Sequence, residues 1–101
     1  MSDATDVMGL IVKEELAQLA IKSFDELIKL APHPTTHVAR DGHKLGVTIY
    51  HDIIASGEHR IVVQVIKQGW LGSYRVHVNG FVLKSPNERR ELTDDERYQF
   101  D

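Results

Sequence analysis

The sequence predicts an α+β fold: a long N-terminal helix packed on one face of a three- to four-stranded antiparallel meander, closed by a short C-terminal helical turn. Three observations predict it. Residues 44–53, 60–68 and 73–83 each alternate apolar and polar side chains, the two-residue period of half-buried strands. Residues 7–31 repeat apolar side chains at the 3.6-residue period of a helix with one buried stripe. Short glycine-bearing reversals separate the alternating runs, so the strands read as successive hairpins.

The helix is justified by Leu10, Ile11, Leu16, Leu19, Ala20, Phe24, Leu27, Ile28 and Ala31 on one stripe, with Lys13, Glu14, Gln18, Lys22, Asp25, Glu26 and Lys29 on the other side. Thr5 or Asp6 is the expected cap, and Gly9 weakens the first turn. Pro32 and Pro34 end the helix, because neither supplies an N–H to its ladder. Residues 35–40 read as a short edge strand, with Asp41-Gly42 as a two-residue type I′ turn into the next strand.

Two further registers follow from aligning the apolar sets. Leu45, Val47, Ile49 and Ile53 share a face with Ile61, Val63 and Val65 when Ile49 lies opposite Val65, leaving residues 56–58 as a loop. Tyr74, Val76 and Val78 join that face when Val65 lies opposite Tyr74, leaving Gly69-Trp70 as a type II′ turn. The expected core is then Leu16, Leu19, Ala20, Phe24, Leu27, Ile28, Leu45, Val47, Ile49, Ile61, Val63, Val65, Val76 and Val78, with His51 at its margin, bonded to backbone. After Ser85-Pro86-Asn87, residues 88–91 read as a charged connector. Thr93 with Glu96 forms a capping box that opens one or two helical turns.

A chain of 101 residues is one domain's worth, here helix 7–31, sheet 35–83 and C-terminal segment 84–101. The net charge of −3 supplies no basic field for a phosphate backbone, so nucleic acid is disfavoured as a partner. With no cysteine there is neither a disulfide framework nor a thiolate metal site. No secretory signal or membrane-length apolar run is visible, and a soluble cytoplasmic protein is expected. Six histidines invite a metal reading, but His33 and His37 straddle Pro34, His43 is distant, and no His-Glu-x-x-His spacing occurs; neither metal nor cofactor is expected.

The expected registers place Tyr50, Val62, Gln64, Ile66, Arg75, His77 and Phe81 together on the sheet face away from the helix, with Trp70 at an adjoining turn. Val62, Ile66, Tyr50 and Phe81 are too apolar to stay wet, so that face calls for a cover: a protein partner, a homodimer seam, or the C-terminal Leu92, Tyr98 and Phe100. The expected function is a non-enzymatic protein-binding module, such as an inhibitor, immunity-type protein, adaptor or regulatory subunit, with Trp70 as an aromatic anchor.

The alternative is a small acid–base, ribonuclease-like phosphoesterase in which one of Asp52 and His77 deprotonates a 2′-hydroxyl, the other protonates the leaving oxygen, and Arg75 holds the phosphate. In plan alone that layout is similar to small microbial ribonucleases. The helix-then-sheet order is also similar to the cystatin-like arrangement, but residues 64–69 do not match its Gln-x-Val-x-Gly spacing, and no family is recognised.

Overall fold

The computed structural model describes residues 4–31, 33–69 and 72–100. In chain order it contains α1 (Ala4–Ala20), α2 (Phe24–Ile28), β1 (His33–Arg40), β2 (His43–Ile53), β3 (His59–Gln68), β4 (Tyr74–Ser85), β5 (Glu88–Glu91) and α3 (Asp94–Tyr98). The strands form one antiparallel sheet in the order β1-β2-β3-β4-β5. The class is α+β as expected, but with five strands, because residues 88–91 pair with β4 instead of forming a connector.

The expected single helix is two. Ser23 interrupts it: its hydroxyl accepts from the Glu26 N–H at 3.2 Å while the Glu26 carboxylate reaches back to the Ser23 N–H. A serine that satisfies free N–H groups starts a new helix more readily than it continues an old one. At the other end α1 begins at Ala4, so Thr5 and Asp6 lie within its first turn rather than capping it. Pro32 lies outside the described residues. The buried stripe of α1 is Ala4, Val7, Met8, Ile11, Val12 and Leu19, whereas Leu10, Ala20 and Ala31 face solvent.

The Asp41-Gly42 reversal is as expected. Arg40 pairs with His43, and both turn residues have positive φ, 50° and 79°. The β2–β3 register keeps the expected faces but slides by two residues. Ile49 lies opposite Val63 and Val47 opposite Val65, and residues 54–58 make the turn, closed by Ile54 N–H to the Glu58 carbonyl at 3.0 Å.

The β3–β4 register differs in kind. Val65 pairs with His77, not with Tyr74, and residues 69–73 connect the strands, with Gly69 N–H bonded to the Ser73 carbonyl at 2.7 Å. A shift by an odd number of residues turns every side chain of a strand over. Odd-numbered β4 residues therefore face the helices, and even-numbered ones the opposite side. Val76 and Val78 accordingly leave the expected core. The helix-side core joins Val7, Met8, Ile11, Val12, Leu19 and Leu27 to Leu45, Val47, Ile61, Val63, Val65 and Leu83. Val62, Val78, Val82 and Leu92 form a second core on the other face.

Two contacts fix α1 and α2 to the sheet's rim. The Leu30 carbonyl only accepts, so His51 Nδ1 donates to it at 2.7 Å. His51 Nε2 shares a hydrogen bond of 2.8 Å with His59 Nδ1. His51 thus sits at the margin of the core, bonded to backbone as expected. Arg89 on β5 stacks over Phe81 at 5.2 Å and donates to the Lys22 carbonyl beyond α1.

Two glycines have opposite roles. A Cβ on Gly80 would lie 2.1 Å from the Ile61 carbonyl oxygen, closer than any side chain permits. A Cβ on Gly9 would meet His77 Cε1 at 3.4 Å, an ordinary contact. Urea unfolding is therefore expected to show Gly9→Ala stabilised by about 0.5–1 kcal/mol, since helical glycine loses backbone entropy on folding. Gly80→Ala is expected to lose at least about 2 kcal/mol, the scale of steric core defects. Equal effects of the two would contradict the close approach of β3 and β4.

Candidate functional site

The site is the sheet face away from α1. Antiparallel pairing sets its residues in rows across the strands. Asp52, Arg60, Val82 and Arg90 form one row, Tyr50, Val62 and Gly80 the next, then Thr48, Gln64 and Val78, then Gly46, Ile66 and Val76, and finally Gln68 with Tyr74. On the β1 side the Thr35 and Thr48 hydroxyls share a hydrogen bond of 2.7 Å.

The C-terminal segment covers the first rows. Thr93 and Glu96 form the expected capping box, which starts α3 and returns the chain over the sheet. Leu92 is buried against Val62, Val78 and Val82. The Phe100 ring lies 5.0 Å from Tyr50 and 4.9 Å from the Arg60 guanidinium, and its carbonyl accepts from Gln64. Tyr98 stays exposed.

Charge fastens this cover. Arg60, itself buried, grips both carboxylate oxygens of Asp52 and donates through Nη1 to Gln99 at 2.9 Å. A guanidinium bound to two planar acceptors is well satisfied, so its burial is tolerated. The Asp52 hydrogen bonds raise the Arg60 pKa above its ordinary value. Arg90 makes a second two-pronged pair with Glu96, at 2.7 and 3.1 Å. Bonding by Arg90, with help from Thr93, pulls the Glu96 carboxyl from 4.5 down to about 2, against a smaller opposing effect of burial.

Toward the β3–β4 connection the face holds an open groove of about 440 Å³ lined by Gln64, Ile66, Gln68, Ser73, Tyr74 and Val76 among others. Tyr74 is 61% exposed. Gln64 belongs to both halves: its amide holds the Phe100 carbonyl and accepts from the Tyr50 hydroxyl at 3.0 Å, while its flank lines the groove.

Of the side chains expected here, Tyr50, Val62, Gln64 and Ile66 are on this face, the first three beneath or against the C-terminal cover and Ile66 in the groove. Arg75, His77 and Phe81 are not. The odd shift of β4 places them on the helix side, where Arg75 donates to Thr5 Oγ1 at 3.4 Å, His77 lies under Gly9 and Phe81 under Arg89. Trp70 lies outside the described residues. The acid–base set is therefore not assembled: Asp52 is on one face, bound to Arg60, and His77 and Arg75 are on the other. No group of three or more potential metal-ligating side chains occurs among the described residues.

Arg60, Gln99 and Gln68 were not among the expected site residues, and Glu96 was expected only as a cap and Tyr74 and Val76 only on the helix side. The signal for the fastening set of Arg60, Glu96 and Gln99 was Glu96 itself, since a carboxylate in a capping box adjacent to an Arg-rich stretch has a second use. Comparison with protein-family models, curated proteins and solved structures returned no match for this chain.

The depressed Glu96 pKa has a pH signature. A carboxylate that ionises more readily when folded stabilises the fold above its unfolded pKa and loses that contribution as pH falls toward its folded one. Glu96→Gln is expected to cost about 1–2 kcal/mol near neutral pH, the scale of charge-assisted hydrogen bonds. That cost shrinks as pH falls from 4.5 to about 2. Urea melts of both proteins across that range check it; a difference independent of pH contradicts it.

Proposed function

We propose that this protein is a small non-enzymatic protein-binding module, in the manner of an inhibitor, immunity-type protein, adaptor or regulatory subunit, which takes its partner on the outer face of the sheet. One observation carries the proposal: the C-terminal segment roofs only part of that face, leaving a groove beside it. Its walls are the apolar flanks of Ile66, Val76 and Tyr74, and its polar groups are the amides of Gln64 and Gln68. Among the described residues that line it, none is a carboxylate, imidazole or cation. Such a lining favours desolvation and amide-to-backbone hydrogen bonding over proton transfer. Tyrosine is also among the residue types enriched at the energetic centres of interfaces. The site proposed is Ile66, Gln68, Tyr74 and Val76 with Gln64 at its edge, in place of the wider set that included Arg75, His77 and Phe81.

The test is selective capture from the cells that make the protein. A partner retained by the wild type should be lost by about tenfold or more on Ile66→Glu, a change of about 1.4 kcal/mol in binding. It should be retained in full by Leu10→Lys, which alters an exposed position of α1 on the far side. Equal retention by all three proteins, or equal loss from both variants, rejects the site.

A further inference from the structure

The two edges of the sheet differ in what they offer a neighbouring strand. β5 is short, and each of its residues is charged: Glu88, Arg89, Arg90 and Glu91. A copy laid antiparallel on it would set Arg89 against Arg90 and Glu88 against Glu91, like charge on like. β1 carries no formal charge between Thr35 and Ala39, and all five of those residues are exposed. Its irregularity is confined to the stretch between His33 and Thr36, and from Thr36 to Arg40 its pairing with β2 is regular. α1 packs chiefly on β3 and β4 and reaches β1 through the Glu14–Arg40 pair, which leaves the outer backbone edge of residues 35–39 exposed.

The backbone pattern of β1 follows from its turn. In a two-residue hairpin the flanking pair, Arg40 and His43, is hydrogen-bonded, and bonded and non-bonded pairs alternate from there. Val38 and Thr36 therefore bond to β2, while His37 and Ala39 turn N–H and C=O to the open side. We infer that a second copy of this chain pairs here, β1 antiparallel to β1 about a two-fold axis at Val38. In that register each copy's His37 bonds Ala39 of the other through both backbone groups. Val38, a large apolar side chain left 36% exposed, meets its own counterpart where side chains approach closest. Arg40, already held by Glu14 at 2.6 Å, falls opposite a threonine, so no like charges oppose one another. Two-fold symmetry makes the contact self-limiting, and the sheet becomes continuous through both copies. The pairing is independent of the groove proposed above, which lies toward the β3–β4 connection.

Light scattering or sedimentation across about a hundredfold range of concentration tests it, because a reversible dimer gains mass with concentration. The wild type is expected to approach twice its monomer mass. Val38→Lys, which opposes two ammonium groups at the axis, and His37→Pro, which deletes only an outward N–H, are both expected to remain at monomer mass with wild-type circular dichroism. Leu10→Lys is expected to dimerise like the wild type. If Val38→Lys fails to fold, His37→Pro decides. A wild type that stays monomeric throughout overturns the inference, as do folded variants that still double in mass or equal loss of mass in Leu10→Lys.

Discussion

Ile61, Val62, Val63 and Val65 are all removed from solvent although neighbours along a strand point to opposite sides, so β3 requires a cover on both faces of the sheet. An antiparallel sheet with a single helical layer would leave one of those faces wet. This constraint organises the rest of the chain. α1 and α2 close one face over Val63 and Val65, and the segment from Leu92 to Phe100 closes the other over Val62. The two covers are not equivalent. The helices bury a broad apolar stripe, whereas the C-terminal segment buries few side chains and depends on Arg60 and Arg90 to hold it.

That dependence explains where polar groups appear. Ion pairs at a surface contribute little when both partners are well solvated, and more when one is desolvated and gripped in a fixed geometry. Asp52–Arg60 is of the second kind, since the guanidinium lies beneath Phe100 and Gln99. Asp94–Arg97, a pair within α3 with its carboxylate largely exposed, is of the first. Residues that at first suggest acid–base chemistry, Asp52 above all, are thus occupied in fastening one layer to another. What remains open is the stretch of the face lined by Ile66, Gln68, Tyr74 and Val76.

Class, turns and faces were legible unevenly, for physical reasons. β2 alternates cleanly in residue type, with Leu45, Val47 and Ile49 on one side and Thr48, Tyr50 and Asp52 on the other, and its side chains lie on the expected sides even though its register with β3 is slipped by two. β4 does not alternate in a way that picks a side. Val76, Val78 and Val82 pack on one face and Phe81 and Leu83 on the other, so both parities look equally suited to a core. The choice then rested on turn chemistry, and Gly69-Trp70 offered a plausible two-residue turn while the chain uses residues 69–73. One odd-numbered shift moved Arg75, His77 and Phe81 to the helix side and brought Tyr74 and Val76 into the groove. The Ser23–Glu26 capping box, by contrast, is written in the sequence but hidden by an apolar stripe that runs through it without interruption and reads as one helix.

The strand order has a consequence for how the molecule is made. Each strand pairs with its predecessor, so the sheet can grow hairpin by hairpin as the polypeptide emerges, with little loop-closure cost at any step. α1 is synthesised before any of its platform, yet the strands that receive it, β3 and β4, are complete only at Ser85. For most of translation its stripe of Val7, Met8, Ile11 and Val12 therefore has no native place to go. The nascent helix is the part of this chain that most needs shelter at the ribosome exit.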